Sequence, residues 1–379
     1  MKSYRILVAA FLAAAASLGC DRDTDLANDP PPRPSAAVVV QPAPSPAYPG
    51  PLVQLHGTPQ EIGAEHAQAL DNKIQTLHHK YLDVYIGDGA KRFVALGAAK
   101  MFESYFLPEH LTEIDALAKH ESMDEREAVL AQCFLDLSPM GVACSTITLP
   151  ASASPDHVAR FGRNLEFSSL GVADKYSTVF VYKPVGRFKF ASIGWPGMIG
   201  VLSGMNEHGL CLANMEVPRG VRLPTAMPYT LLYRTVLERC KTVSEAIDLI
   251  EKTPRQTANN LMLMDATGDR AVLEITPDAV TVRRTADDQP LISTNHQRGA
   301  DCDTPGRCWR YDRLHQEGNA EFGHIGVPQL ETLLARVSPG KPTLQSMIFE
   351  PSTRVIYLST GANAAHGAFH RLDLKPDFD

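Results

Sequence analysis

Cys144 stands in Gly141-Val142-Ala143-Cys144-Ser145-Thr146, and Gly162-Arg163-Asn164-Leu165-Glu166 begins eighteen residues later. A thiol behind a small residue, then a guanidinium and a carboxylate, is a set able to do acyl chemistry. The Cys144 sulfur can attack the Ala143 carbonyl, and small Ala143 leaves that carbonyl open. Water hydrolyses the resulting thioester and frees a new α-amine on Cys144. A free α-amine has a pKa of roughly 7.7–8.0, against about 8.5 for a thiol. Near neutral pH one residue then supplies both nucleophile and base. The plain alternative is a buried structural cysteine. Arg163 is permanently charged and cannot act as a base. Beside the sulfur it favours thiolate. Strands alternate faces, so Arg163 and Glu166 share one only across a turn or bulge. The alternative for both is a surface ion pair of little value.

Further donors come later in the chain. Asn295 follows an apolar run in Ser293-Thr294-Asn295-His296. Its amide NH2 there can donate to a developing oxyanion, a large catalytic effect. It can equally cap its own turn. Asn214 ends the run 210–214 and is a candidate second donor. Asn206 competes for that role, but Asn206-Glu207-His208-Gly209 reads better as a hairpin turn. His296 reads as positioning the Thr294-Asn295 turn, because a cysteine carrying its own amine needs no separate histidine. Cys133, Cys211 and Cys240 sit in apolar segments and read as buried thiols. Cys302 and Cys308 bracket five residues, and a disulfide between them is left open. No CxxC or HExxH spacing occurs, so neither a metal nor an organic cofactor is expected.

These residues need elements to position them. Thr58-Pro59-Gln60-Glu61 is a capping box with proline at the first helical position. Helices are expected behind it and over 91–106, 109–120 and 123–135, with Ser122-Met123-Asp124-Glu125 as a second capping box. The folded chain before Cys144 thus reads as mostly helical. After it, strands are expected over 145–149, 158–161, 178–183, 188–193, 200–205 and 210–214. Helices over 229–240 and 243–252 follow. A hairpin turning at Ala266-Thr267-Gly268-Asp269, strands over 280–284 and 291–293, helices over 307–316 and 329–337, and a last hairpin over 346–359 complete the chain. Hairpin strands with paired helices indicate antiparallel sheets covered by helices.

The ends and the bulk composition narrow the setting. Of 379 residues, 1–20 read as a signal peptide, with an apolar run too short for a comfortable membrane span. Ser17-Leu18-Gly19-Cys20 resembles a bacterial lipoprotein signal with Cys20 as the acylated residue, although Ser17 stands where an aliphatic side chain is usual. The alternative is an ordinary cleaved leader. Residues 21–51, rich in Pro, Ala and Asp, read as a disordered tether. The expected setting is therefore export to a bacterial cell envelope, held at a membrane if Cys20 is acylated. A formal net charge of −7 without long charge runs argues against nucleic acid as a partner.

From about Val53 to Leu374 the chain resembles the penicillin acyltransferase family of N-terminal-nucleophile hydrolases, with choloylglycine hydrolases and acid ceramidases as more distant relatives. Leu55-His56-Gly57-Thr58-Pro59 with Glu61 and Gly63 is similar to the family's opening helix. Cys144-Ser145-Thr146 resembles its nucleophile segment, and Gly162-Arg163-Asn164-Leu165-Glu166 its next strand. Gly204-Met205-Asn206-Glu207-His208-Gly209-Leu210, Thr294-Asn295-His296, Arg310-Tyr311 with Arg313-Leu314, and Gln345-Ser346-Met347-Ile348-Phe349-Glu350-Pro351 complete the likeness.

The resemblance implies an α+β fold, a four-layer αββα sandwich with a helical N-terminal segment. It implies self-cleavage between Ala143 and Cys144. Residues 52–143 would become a small subunit or pro-segment and 144–379 the catalytic part, the two chains staying associated. It implies attack on a linear, non-peptide C–N amide of a small molecule through a Cys144 thioester, the acyl group passing to water or to an amine. It assigns Glu166 to the Cys144 amine and puts Arg310 near the site; taken alone, Arg310 is equally a helix-surface charge. Position 166 is Glu where relatives more often have Asp, so the longer side chain must fold back or shift the site. Two other readings stand beside this one. The chain is either a non-catalytic envelope lipoprotein binding amides or acyl chains on the same fold, or a Cys–His thiol hydrolase without self-cleavage.

Overall fold

The six residues Cys144–Leu149 set the layering. Ile147 and Leu149 point one way, into an apolar cluster with Leu330, Leu333 and Leu334. Thr148, from the alternate set, directs its hydroxyl the other way, toward Met262 Sδ of a second sheet. A strand buried on both faces must lie between two layers. The structure, a computed structural model, describes residues 48–70, 72–137, 143–218, 224–299 and 308–379. The leader 1–20 with Cys20, nearly all of the tether 21–51, and Cys302 lie outside those residues.

In chain order the elements are β1 (Leu52–Gly57), α1 (Pro59–Leu70), α2 (Lys73–Leu77), a π-helical turn (His78–Leu82), α3 (Asp83–Ile86), α4 (Gly89–Glu103), α5 (Pro108–His120), α6 (Glu125–Leu137), β2 (Cys144–Leu149) and β3 (Arg160–Glu166). Then come β4 (Thr178–Pro184), β5 (Phe190–Gly194), β6 (Ser203–Asn206), β7 (Cys211–Glu216), α7 (Tyr229–Arg239), α8 (Val243–Lys252), β8 (Asn259–Met264), β9 (Arg270–Ile275), β10 (Val280–Arg283) and β11 (Leu291–Ser293). The chain ends with α9 (Trp309–Ala320), α10 (Val327–Arg336), β12 (Thr343–Glu350), β13 (Val355–Thr360), β14 (His370–Asp373) and α11 (Lys375–Phe378).

Two sheets face each other, one ordered β1-β4-β5-β6-β7-β8-β9-β10 and the other β11-β2-β3-β12-β13-β14. Helices α1, α7 and α8 pack on the first, α9 and α10 on the second, and β2 meets β7 between them. The four layers αββα expected from the resemblance are therefore present. Among the described residues no helix is long and apolar enough to cross a membrane.

Several expectations need correction. The segment before Cys144 is mostly helical, as expected, and its first helix begins at Pro59, the position the capping box gave it. Leu52–Gly57, for which no strand was expected, is an edge strand parallel to β4. The run is short, and its pairing partner lies far along the chain. The Thr58–Glu61 capping box forms as read, with Thr58 N donating to Glu61 Oε2 at 2.7 Å and Glu61 N to Thr58 Oγ1 at 3.3 Å. The second does not. Asp124 Oδ1 accepts the Arg126 N–H at 2.9 Å, and helix α6 starts at Glu125. Helix α10 lies close on β3 because residue 162 is glycine. A Cβ there would stand 3.0 Å from Leu330 Cδ1 and 3.3 Å from Ile147 Cγ2.

Candidate active site

The site is built where β2 and β3 run side by side. Cys144 is opposite Leu165, and Thr146 opposite Arg163. Arg163, 1 % exposed, reaches across to the other sheet and donates from Nη1 to Asn214 O at 2.9 Å. Its neighbour Asn164 faces the other way, donating to Leu334 O of α10. Glu166 ends β3, opposite Thr343, where the β12 register shifts. Its Oε2 stands 3.6 Å from Arg310 Nη1, and its Oε1 accepts from Thr343 Oγ1 at 3.4 Å. The bulge considered from sequence thus falls on the partner strand. Arg163 and Glu166 are both buried, so the surface ion-pair reading is set aside.

Arg310 opens the first turn of α9 and is buried, not on a helix surface. Its Nη1 donates to Cys144 O at 2.5 Å, and its Nη2 to Asn295 Oδ1 at 3.1 Å. Asn295 Oδ1 also accepts the Cys144 N–H at 2.5 Å. Asn295 Nδ2 donates to Glu216 O at 2.7 Å. The Asn295 amide hydrogens therefore serve the end of β7, and its oxygen faces the Cys144 nitrogen. That geometry differs from both the oxyanion-donor reading of Asn295 and the assignment of the Cys144 nitrogen to Glu166. Asn214 is buried, with a side-chain Oδ1 that has no partner. Asn206 is used up in its turn, accepting from His208 N and Leu210 N and donating to Leu237 O and Cys240 O.

Electrostatics follow from burial. Desolvation pushes the Cys144 thiol up, opposed by Arg163, a backbone hydrogen bond from Glu166, and Arg310, while the Glu166 charge adds to the rise. Burial likewise raises the Glu166 carboxyl, against the pull of Arg310 and Arg163. Both groups are held toward their neutral forms in a water-poor place, where two guanidiniums favour any anion that forms.

Asn260 and Asp136 escaped the sequence reading, and Cys308 was considered there only as one half of a disulfide. Asn260 Nδ2 donates to Thr294 O at 2.8 Å and His296 O at 2.9 Å, so it positions the turn that His296 was expected to hold. A pair of asparagines opening the apolar run Leu261–Met264 was the available signal. Cys308 is a free buried thiol. Burial raises it, but a hydrogen bond from His296 and the Arg310 charge bring it down to about 6. His296 thus accompanies Cys308. Asp136, near the end of α6, accepts from Tyr229 N at 3.5 Å and Gln256 Nε2 at 3.3 Å. Burial pushes it up to about 8, and Glu216 adds to that rise. Among the described residues no cluster of His, Cys, Asp or Glu is arranged to hold a metal ion.

An apolar cavity of about 90 Å³ opens beside this cluster, walled by Tyr81, Leu135, Phe167, Trp195, Met198 and Leu202 among others. Phe167 follows Glu166, and Leu202 O accepts the Asn214 N–H at 2.9 Å. Phe167 and Trp195 stack at 5.7 Å.

The family model of acyl-coenzyme A:6-aminopenicillanic acid acyl-transferase matches residues 158–321, a stretch holding Arg163, Glu166, Asn214, Asn295 and Arg310 but beginning after Cys144. Protein dcd1A of Dictyostelium discoideum is 22% identical over 236 residues, 54% of this chain and 53% of its own. An uncharacterized protein of Archaeoglobus fulgidus is 23% identical over 266 residues, 61% of this chain and 44% of its own. The chain spans about half the length of the curated relatives it matches.

Among solved structures, a Caenorhabditis elegans ortholog of N-acylethanolamine-hydrolyzing acid amidase has a TM-score of 0.47 at 17% identity, covering 55% of this chain and 93% of that one. A mutant conjugated bile acid hydrolase from Clostridium perfringens has 0.42 at 16%, covering 62% and 93%. The layered architecture stands on this chain's own sheets and helices. Over residues 158–321 the chain is similar to the acyl-coenzyme A:6-aminopenicillanic acid acyl-transferase family.

Proposed function

We propose that this chain is a self-processing cysteine amide hydrolase or acyltransferase working through Cys144. The observation that carries the reading is the double hold on one residue. Asn295 Oδ1 meets the Cys144 nitrogen, and Arg310 meets its carbonyl oxygen. Both contacts grip backbone atoms of the residue whose preceding peptide bond would be cut. In the first step the thiol attacks the Ala143 carbonyl, nitrogen leaves as an amine, and water hydrolyses the thioester. The freed α-amine stays in reach of Asn295 Oδ1 and takes the thiol proton. Glu166, the nearest carboxyl, then gains a cation beside it, which draws its proton off.

Turnover repeats the same chemistry on a substrate amide. The thiolate adds to the carbonyl, and Asn214 is the candidate donor to the oxyanion. The Cys144 ammonium returns its proton to the leaving amine. The thioester passes its acyl group to water, giving an acid, or to an amine, giving a new amide. The apolar cavity suits the acyl part of a small amide. Residues 52–143 remain attached after scission, because β1 pairs with β4 and Glu113 meets Arg234 at 2.6 Å inside the fold. Export with acylation at Cys20 completes the proposal, holding the domain near a membrane by the tether 21–51.

Intact mass under denaturing conditions tests it. Wild-type protein is expected as two fragments split between Ala143 and Cys144, and Cys144→Ala as one piece without amide turnover. An unbroken wild type that still cleaves amides overturns the mechanism.

A further inference from the structure

The turn Trp195-Pro196-Gly197-Met198 forms one wall of the apolar cavity, and its backbone is held from the other side of the Cys144 junction. His66 of α1, wholly buried, accepts the Gly197 N–H on Nε2 at 3.0 Å. Gln132 of α6 donates from Nε2 to Gly197 O at 2.8 Å and accepts the Ile199 N–H on Oε1 at 3.0 Å. Ile74 closes the third side. A Cβ at Gly197 would stand 3.1 Å from Ile74 Cγ2, and φ there is +85°, a region that favours glycine. The turn's orphan backbone groups are thus met by side chains of residues 52–143, not by its own sheet.

The arrangement carries a cost. With Nε2 accepting, the His66 proton sits on Nδ1, which is buried without a partner. Burial, with the Arg234 charge, lowers its pKa to about 3 and keeps the ring neutral. An unpaired buried donor of this kind is destabilising.

We propose that His66 and Gln132 are positioning residues for acyl selectivity. The segment before the scission point, through these two side chains, fixes where Trp195 and Met198 stand and so which apolar acyl groups the cavity accepts. This rests on the reading of the cavity as the acyl site. Neither residue touches the reacting atoms; His66 acts through the turn, and Gln132 both through the turn and from its own place on the cavity wall.

The test uses the full processed chain and the p-nitroanilides of acetic, hexanoic and decanoic acids. Gln132→Leu and His66→Leu are expected to lose about tenfold in kcat/KM on the longer acyl groups, through KM, with the acetyl substrate changed less than about threefold. His66→Gln keeps an acceptor for Gly197 and is expected to follow the wild type. An equal fall in kcat for all three substrates overturns the proposal, as does an unchanged acyl profile. Should the wild type cleave none of the anilides, the amidase reading fails separately. The positioning claim is then read from decanoate quenching of Trp195 fluorescence in a Trp309→Phe background. There Gln132→Leu is expected to weaken binding about tenfold, and equal affinity overturns it.

Discussion

At the scale of single residues, one oxygen organises the site. Asn295 Oδ1 collects the Cys144 N–H and an Arg310 N–H, while Nδ2 is anchored on Glu216 O. This network fixes which way the amide points, since only the oxygen can take two donors. Arg310 is held as a fork, one nitrogen on Cys144 O and the other on Asn295. A lysine cannot reproduce that planar pair. Arg310→Lys is therefore expected to slow self-cleavage and amide turnover by about a hundredfold, the scale of one lost oriented donor. Time-resolved intact mass and initial rates check it.

At the scale of elements, helix α10 clamps the sheet that carries Cys144. Leu330, fully buried, lies over Gly162 and Ile147. Leu330→Ala is expected to cost roughly 2–5 kcal/mol, and Gly162→Ala, which overpacks the same contact, roughly 1–3 kcal/mol. Because the added methyl fills space that Leu330 vacates, the double variant is expected to cost less than the sum. Urea unfolding of the three variants reads this directly. Such elements were legible in advance. Helix α8 and strand β11 match their expected limits, and the hairpin at Gly268 turns at a positive φ of 88° as its glycine allows. β1 was not legible. Its alternation covers only six residues, and what makes it a strand is β4, on the other side of the Cys144 junction.

At the scale of the whole molecule, the two sides of the proposed scission share buried charge. Arg234 of α7 holds Glu113 of α5 and Glu238, all three buried. Asp136 of α6 sits against Tyr229 and Gln256. Its carboxyl is raised to about 8 from an ordinary 3.8. The folded chain thus keeps a proton that the unfolded chain has lost, and this stability, full below about pH 4, is lost as pH rises through 8. Asp136→Asn keeps both hydrogen bonds and cannot ionise. Its Tm relative to wild type is expected to rise as pH goes from about 4 to 8, and parallel Tm curves count against it.

The sequence alone carried the strand and helix periods and the side-chain chemistry proposed for Cys144, Arg163, Asn214 and Asn295, because residue type and local spacing are written along the chain, while the role of Glu166 and the place of Arg310 were implied only by the family resemblance. Only the tertiary structure decided that Asn260 holds the 294–296 turn and that His296 meets Cys308. It also decided that the Asn295 oxygen, and not its amide hydrogens, faces Cys144. Those are choices among partners far apart in sequence, and they are settled by which buried polar group would otherwise go unpaired.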